Sequence, residues 1–417
     1  MRGSKNMPSV VSQPPLERDE VLHALIPDLQ VELDRVLSWW AARMISPRTG
    51  RIVGTILNSG LPDDTSSVRG IYLSRILWAF SRAAAYSSEP RLSEIADHAA
   101  DQLVTDFIDV ETGGVLWETD HAGKPLDGRK QCYALAFALY GLSAYYRVSK
   151  RTDIADVAAS LFHQIEARFR DPVHGGYWEA FTRNWDALDD VRLSDKDQSS
   201  PKSMNTHLHV MEAYAEYYRA TGSEPVRQAM ATLVDLFTDR IVDDKRGHLR
   251  MFWSADWCDE SLTDSFGHDI EASWLTWEAV NLVGDPEQIA RARMTVLRLA
   301  ESCATEGVGR SGEIYDEYDH VSGHINTTRI WWVQAEGLVG FLNAYQMTGK
   351  AEYRRRVMEL WRFVNDHVID RDGGEWRWFS SLDTTEESPY WGGPWKSCYH
   401  NVRTLIECLE RIRSIPA

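Results

Sequence analysis

The sequence predicts an all-α fold: an (α/α)6 barrel of six helical hairpins, with short β-segments gathered at one end. Three observations carry that reading. A glycine turn recurs six times, a pair of amphipathic stretches lies between successive turns, and the first helix is left to pair with the last. Six like hairpins bury their apolar faces best by closing into a ring, and a closed ring leaves a central funnel lined by the inner helix of each hairpin. An open helical solenoid is the alternative, but it has no need of β-segments collected at one end.

Each copy of the turn sets acidic or polar residues before a Gly or Gly-Gly, followed by an aromatic or apolar run. The copies are SPRTGRIVG around Gly50, DVETGGVLWE around Gly114, DPVHGGYWEA around Gly176, DDKRGHLRMFW around Gly247, GRSGEIYDEY around Gly312 and DRDGGEWRWF around Gly374. The steps between these glycines are 64, 62, 71, 65 and 62 residues. Every copy reads as a turn leading into a short strand. The helical stretches follow in order as 72–88 with 92–108, 130–147 with 152–169, 204–221 with 225–241, 268–283 with 286–303, and 329–347 with 352–369. In 130–147, Tyr133, Phe137, Tyr140 and Ala144 recur at helical spacing. A helix over 20–44 pairs with one over 398–414 to close the ring.

The 417 residues could hold two or three domains at roughly 150 each, but a barrel takes them as one. Residues 20–417 are therefore expected to be a single catalytic domain, and 1–19 a disordered or appended leader. Lys and Arg number 45 against 62 Asp and Glu, a net charge of −17. Nucleic acid and anionic membranes need a basic face, so neither is expected as a partner. No apolar run approaches the roughly 20 residues of a membrane helix, and the first twenty residues predict no secretory leader. Five cysteines without CxxC spacing read as free thiols in a reducing cytoplasm. The 17 tryptophans either fill a core or offer the flat apolar faces on which sugar rings stack.

Polar groups on otherwise apolar inner helices mark the chemistry. In MNTHLHVMEAYAEYY, Asn205, His209 and Glu212 stand at i, i+4 and i+7 on one face, whereas His207 points about 200° away from His209. Asn205 also fits a helix cap, and His209 a hydrogen-bonded core histidine. In GHDIEASWLTWEA, His268 and Glu271 share a face, and a Glu beside a His orients the ring. Asp269 reads as an acidic residue favoured by the helix dipole. His268, Glu271 and His209 could hold a metal, but no H-x-x-x-H pair or cysteine cluster supports one, and the expected site has no metal and no cofactor. In PYWGGPWKSCYHNVR, Trp391, Trp395 and Lys396 lead into His400, Asn401 and Arg403. Arg75, Tyr133 and the Trp331–Trp332 pair lie near the starts of other inner helices, so all should crowd one end of the barrel. Histidines facing one another across a funnel suit removal of a proton from carbon and its return on the opposite face.

MNTHLHVMEAY, FGHDIEASWL, WWVQAEG and GPWKSCYHNVR together resemble the N-acylglucosamine 2-epimerase superfamily, most closely its cellobiose 2-epimerases, over nearly the whole chain after about residue 20. The resemblance implies an (α/α)6 barrel that needs no metal or nucleotide and acts on a small carbohydrate, as a monomer or homodimer. It implies ring opening and proton transfer through a cis-enediolate at C2 of the reducing-end glucose or mannose of β-1,4-linked disaccharides. His268 and His400 would be the acid–base pair, with His209 assisting ring opening. Arg75 and Asn205 would hold the sugar oxygens, Glu271 would orient His268, and Tyr133, Trp331, Trp395 and Lys396 would contact the sugar. SerCys at 397–398 departs from the family pattern, which bears on the loop shape and not on His400. A mannose/glucose 2-epimerase or mannose isomerase of the same superfamily is the alternative. A six-hairpin glycoside hydrolase would need two flanking carboxylates, for which Glu271 with Glu212 or Glu336 are candidates. A non-catalytic sugar- or protein-binding barrel is the remaining reading.

Overall fold

Five hairpins in the computed structural model turn in the same way. The pairs are α3 (Gly70–Ser87) with α4 (Pro90–Phe107), α5 (Cys132–Ser149) with α6 (Thr152–Gln164), α7 (Met204–Thr221) with α8 (Glu224–Leu236), α9 (Phe266–Val283) with α10 (Pro286–Ser302), and α11 (Trp331–Thr348) with α12 (Ala351–Phe363). Each connection has two residues, the first left-handed and the second extended. The left-handed residues are Ser88, Lys150, Gly222, Gly284 and Gly349. Glycine takes this conformation without steric cost, so Ser88 and Lys150 are held there by the geometry of the hairpin. The sixth pair joins the ends of the chain: α2 (Ile26–Arg43), after the one-turn α1 (Glu20–His23), packs on α13 (Tyr399–Ser414).

The structure describes residues 18–416, so most of the expected leader at 1–19 lies outside the described residues. Asp19 is already part of the fold: it is buried, caps α1 through Leu22 N–H and accepts from the Tyr345 hydroxyl. Contacts run α3–α5–α7–α9–α11–α13 and back to α3, which closes the inner ring and excludes the open solenoid. The inner helices are buried almost all round, as the core layer of a two-layer helical wall must be. Four outer helices end in one wide π-helical turn, at Ile165–Phe169, Phe237–Ile241, Cys303–Gly307 and Val364–Val368. Among the described residues no helix is long and apolar enough to cross a membrane.

All six glycine turns form, and Gly50, Gly114, Gly176, Gly247, Gly312 and Gly374 all have positive φ. The chain then pairs back on itself, as at Ile45↔Ile52, Ile108↔Val115, Arg170↔Tyr177 and Ile369↔Trp376. Neighbouring repeats lock these turns. The indoles of Trp185 and Trp257 lie against Gly114 and Gly176 and donate to the carbonyls of Thr112 and His174. Trp39 does the same at Gly374, donating to the Gly373 carbonyl. Fully buried Lys130 and Lys202 pair with the turn carboxylates Asp109 (2.8 Å) and Asp171 (2.7 Å). A substantial share of the tryptophan content is therefore structural.

Candidate active site

The inner helices present their side chains to the funnel in layers set by helix register. The second or third residue of five of them forms the outer layer: Tyr133, Asn205, His268, Trp332 and His400. The sixth residue of α3, α5, α7, α9 and α11 forms the next: Arg75, Phe137, His209, Glu271 and Glu336. Arg403 closes that layer from α13.

Arg403 is the hub. It is 1% exposed and donates to Glu212 and the Tyr399 hydroxyl from Nη1, and to Glu271 from Nη2, with Glu336 at 2.6 Å. Its guanidinium stacks on Tyr399 at 4.4 Å and on Trp274 at 5.0 Å. One cation thus faces three buried carboxylates. Burial works against ionising Glu212, yet Arg403, His209 and Tyr399 hold its pKa down to about 2. Glu271, Glu336 and His400 bring ligand atoms within 4.8 Å of one another, and the place of a cation between the two carboxylates is taken by Arg403.

Each histidine is tied through Nδ1. His400 Nδ1 lies 2.7 Å from Glu336 Oε1, His209 Nδ1 lies 2.8 Å from Glu212 Oε2, and His268 Nδ1 lies 2.8 Å from Ser265 Oγ. Among the described residues the three Nε2 atoms have no hydrogen-bond partner. Burial lowers the pKa of His268 to about 4, and burial followed by the nearby Arg403 lowers that of His400 well below the usual value. Both rings are therefore neutral at pH 7. The Trp332 ring packs against both, 4.9 Å from His268 and 5.8 Å from His400.

Arg75 donates to the Tyr133 hydroxyl (2.8 Å) and lies over the Phe137 ring at 4.4 Å, leaving its buried Nε without a partner among the described residues. Tyr133 and Phe137 in turn pack on His209 at 5.1 and 4.9 Å. Burial raises the Tyr133 pKa to about 12, so its hydroxyl stays protonated. Among the described residues Asn205 Oδ1 is buried without a partner. His207 faces away, as its phase requires: its Nε2 accepts the Tyr177 N–H and its Nδ1 meets the Ser203 carbonyl.

Three assignments change. Glu271 makes no hydrogen bond to His268; Ser265 holds that ring and Glu271 is bound to Arg403. Trp331 is 2% exposed, packed on Trp378 with its ring edge-on to His400 at 6.4 Å, and the half-buried Trp332 is the indole that meets both histidines. Lys396 is 1% exposed; it donates to the Trp391 carbonyl and lies 3.9 Å from Glu375, bracing its loop much as Lys130 and Lys202 brace theirs. Trp395 is half-buried at the rim, against Trp117 at 6.3 Å and under Arg69 at 5.4 Å, beside a cleft of about 290 Å³ that also takes in Asp190 and Arg192. Asp269 does more than complement a helix dipole: it binds His248 Nδ1 and the Leu249 N–H. The sequence reading passed over Ser265 and gave Arg403 no role. The available signal for Arg403 was a cation among apolar residues, one turn after His400.

The family model of N-acylglucosamine 2-epimerase matches residues 53–404. A cellobiose 2-epimerase of Bacteroides fragilis is 36% identical over 396 residues, covering 94% of this chain and 99% of the relative. One from Ruminococcus albus is 35% identical over 394 residues, covering 93% and 99%. The solved cellobiose 2-epimerase of Bacillus thermoamylovorans superposes with a TM-score of 0.88 at 33% identity, covering 93% of this chain and all of that one.

Proposed function

The chain belongs to the N-acylglucosamine 2-epimerase family, and on that premise we propose that it is a cellobiose 2-epimerase, interconverting glucose and mannose at the reducing end of β-1,4-linked disaccharides. One observation carries the chemistry: two neutral histidines, His268 and His400, pack on one indole with each Nδ1 held by a protein oxygen and each Nε2 free. One Nε2 takes the C2 proton of the opened sugar as the cis-enediolate forms. The other histidine, neutral at rest, takes up a proton from solvent as the enediolate charge develops and returns it to the opposite face, and the first releases its proton to solvent to reset the pair. The free donors of Arg75 and the unpartnered Asn205 amide suit the sugar oxygens, and a cation placed in advance stabilises the enediolate charge as it develops. His209, backed by Glu212, is placed to move the proton needed for ring opening.

Glu212, Glu271 and Glu336 all bind Arg403, and two of them back a histidine, which supports acid–base work by imidazole over glycoside hydrolysis by carboxylates. The rim cleft under Trp395, Trp117 and Arg69 supports a second sugar ring beyond the one that reacts. Residues 20–417 act as one catalytic domain. Side chains alone run the reaction, so activity should survive exhaustive chelation. Five free cysteines, four of them buried, support the cytoplasm as its compartment, with the protein working as a monomer or homodimer.

The test is turnover of cellobiose in D₂O. The product should be the C2 epimer, of unchanged covalent structure, carrying solvent deuterium at C2 in most turnovers. Retention of the original hydrogen at early conversion overturns the two-histidine exchange. Release of monosaccharide overturns the epimerase. Faster turnover of free mannose than of cellobiose or lactose moves the substrate class to monosaccharides.

A further inference from the structure

Ser203 and Ser265 both stand immediately before an inner helix, at the N-cap. Ser203 does what such a serine ordinarily does: its side chain accepts the Thr206 N–H at 3.1 Å, satisfying one orphan donor of α7. Ser265 does not. Its side chain makes no capping bond to α9, and its hydroxyl lies instead 2.8 Å from Nδ1 of His268, the residue whose backbone N–H it would normally receive. Ser265 is 6% exposed, which limits competition from water for that contact. Its backbone is fixed from both sides, by α9 and by pairing with Glu317 across a short antiparallel sheet.

We propose that Ser265 is a positioning residue: it accepts the Nδ1–H of His268 and so holds the imidazole in the tautomer whose Nε2 is open to the C2 proton. A base that later acts as an acid must alternate between neutral and protonated Nε2. An acceptor at Nδ1 serves both states, because Nδ1 carries its proton in each. A hydroxyl donating to Nδ1 would put the neutral ring's proton on Nε2 and block the base. The second histidine has the same arrangement with a different acceptor, the Glu336 carboxylate at 2.7 Å from His400 Nδ1. The site thus orients one ring with a hydroxyl oxygen and the other with a carboxyl oxygen. This inference rests on the acid–base role given above to His268.

The test is Ser265→Ala, which removes no capping bond and should fold as the wild type does. Selective ¹⁵N labelling of histidine, with the His268 signals assigned by their loss in His268→Asn, should show Nδ1 protonated in the wild type. In Ser265→Ala it should show a mixture or the Nε2-protonated form. With cellobiose, kcat should fall about tenfold while KM changes less than about twofold. Ser265→Thr, which keeps the hydroxyl, should restore both the tautomer and most of kcat. In a His268→Asn background, Ser265→Ala should leave the residual C2–H exchange unchanged. An unaltered His268 tautomer in Ser265→Ala, or kcat within twofold of wild type, overturns the proposal. The tautomer is read without turnover. A wild type that leaves cellobiose untouched would therefore count against the proposed reaction, and the spectrum would still decide the role of Ser265.

Discussion

The two ends of the same inner helices both gather charged side chains and use them in opposite ways. At the end where those helices begin, Arg75 Nε, Asn205 Oδ1 and the Nε2 atoms of His209, His268 and His400 have no partner among the described residues. At the far end the charges satisfy one another. Arg147 pairs with Glu216 at 2.7 Å, Arg219 with Glu278 at 2.8 Å, Arg411 with Glu278 at 2.8 Å, and Arg82 with Glu410 at 3.1 Å. A cavity of about 360 Å³ lies among these residues, beyond Arg403 from the histidines. Neither volume nor charge density marks the site. The gathering of several unmatched polar atoms at the mouth of one funnel does, whereas single orphans such as Trp78 Nε1 beside the far cavity do not, because burying an unpaired group costs free energy that a ligand there can recover.

That contrast can be broken at four points. The largest expected effect is at the unmatched end. His268→Asn and His400→Asn should each lower kcat about 10²–10⁴-fold while thermal unfolding stays within a few degrees of wild type. More than a tenth of wild-type activity in either variant would mean that the free Nε2 atoms are not the signal. Arg403 belongs to both ends, so Arg403→Met should impair both properties. It leaves Glu212, Glu271 and Glu336 without their cation, and losing one partner from a buried ion pair costs about 3–5 kcal/mol. Urea unfolding that matches wild type would show that the hub is not structural.

A third expectation concerns pH. Burial lowers the His268 pKa to about 4, below the roughly 6.5 of an unperturbed imidazole. The neutral base therefore persists as pH falls, and kcat/KM at pH 5 should exceed by more than about tenfold the value an ordinary histidine would allow. An acid limb centred near 6.5 would refute that burial effect. The smallest effect belongs to the matched end. Arg147 is partly exposed, so Arg147→Ala should cost less than about 1 kcal/mol by denaturant titration. Its kcat should be unchanged, and a tenfold loss there would make the far end part of the machinery.

The local half of this architecture was legible. Glycines 62 to 71 residues apart, each followed by an apolar run, could be read as turns, and 3.6-residue periodicity located the helices to within two or three residues at most ends. The outer helices α6, α8 and α12 differ: their α-helical hydrogen bonding stops about five residues early and a wide π-turn finishes them, which apolar spacing does not register. The three histidines stood out because a polar residue on a buried helix needs a reason to be there.

Their partners did not stand out. Glu336 reaches His400 across 64 residues of chain, and Glu212 and Glu271 converge on Arg403 from two other helices. The choice between Trp331 and Trp332 is a matter of helix phase: adjacent residues point about 100° apart, so one is buried on Trp378 and the other meets both histidines. Repeat equivalence is also hidden when the chemistry changes. The fourth residues of α7, α9 and α11 are His207, Asp269 and Gln334, and all three accept a backbone N–H just after a glycine turn, from Tyr177, Leu249 and Ile314. Sequence alone determined the repeat, the hairpins and which residue types lie inside. Tertiary structure decided which of those residues meet, because periodicity is a local property of a helix, whereas contacts across the funnel depend on closing six helices into one ring.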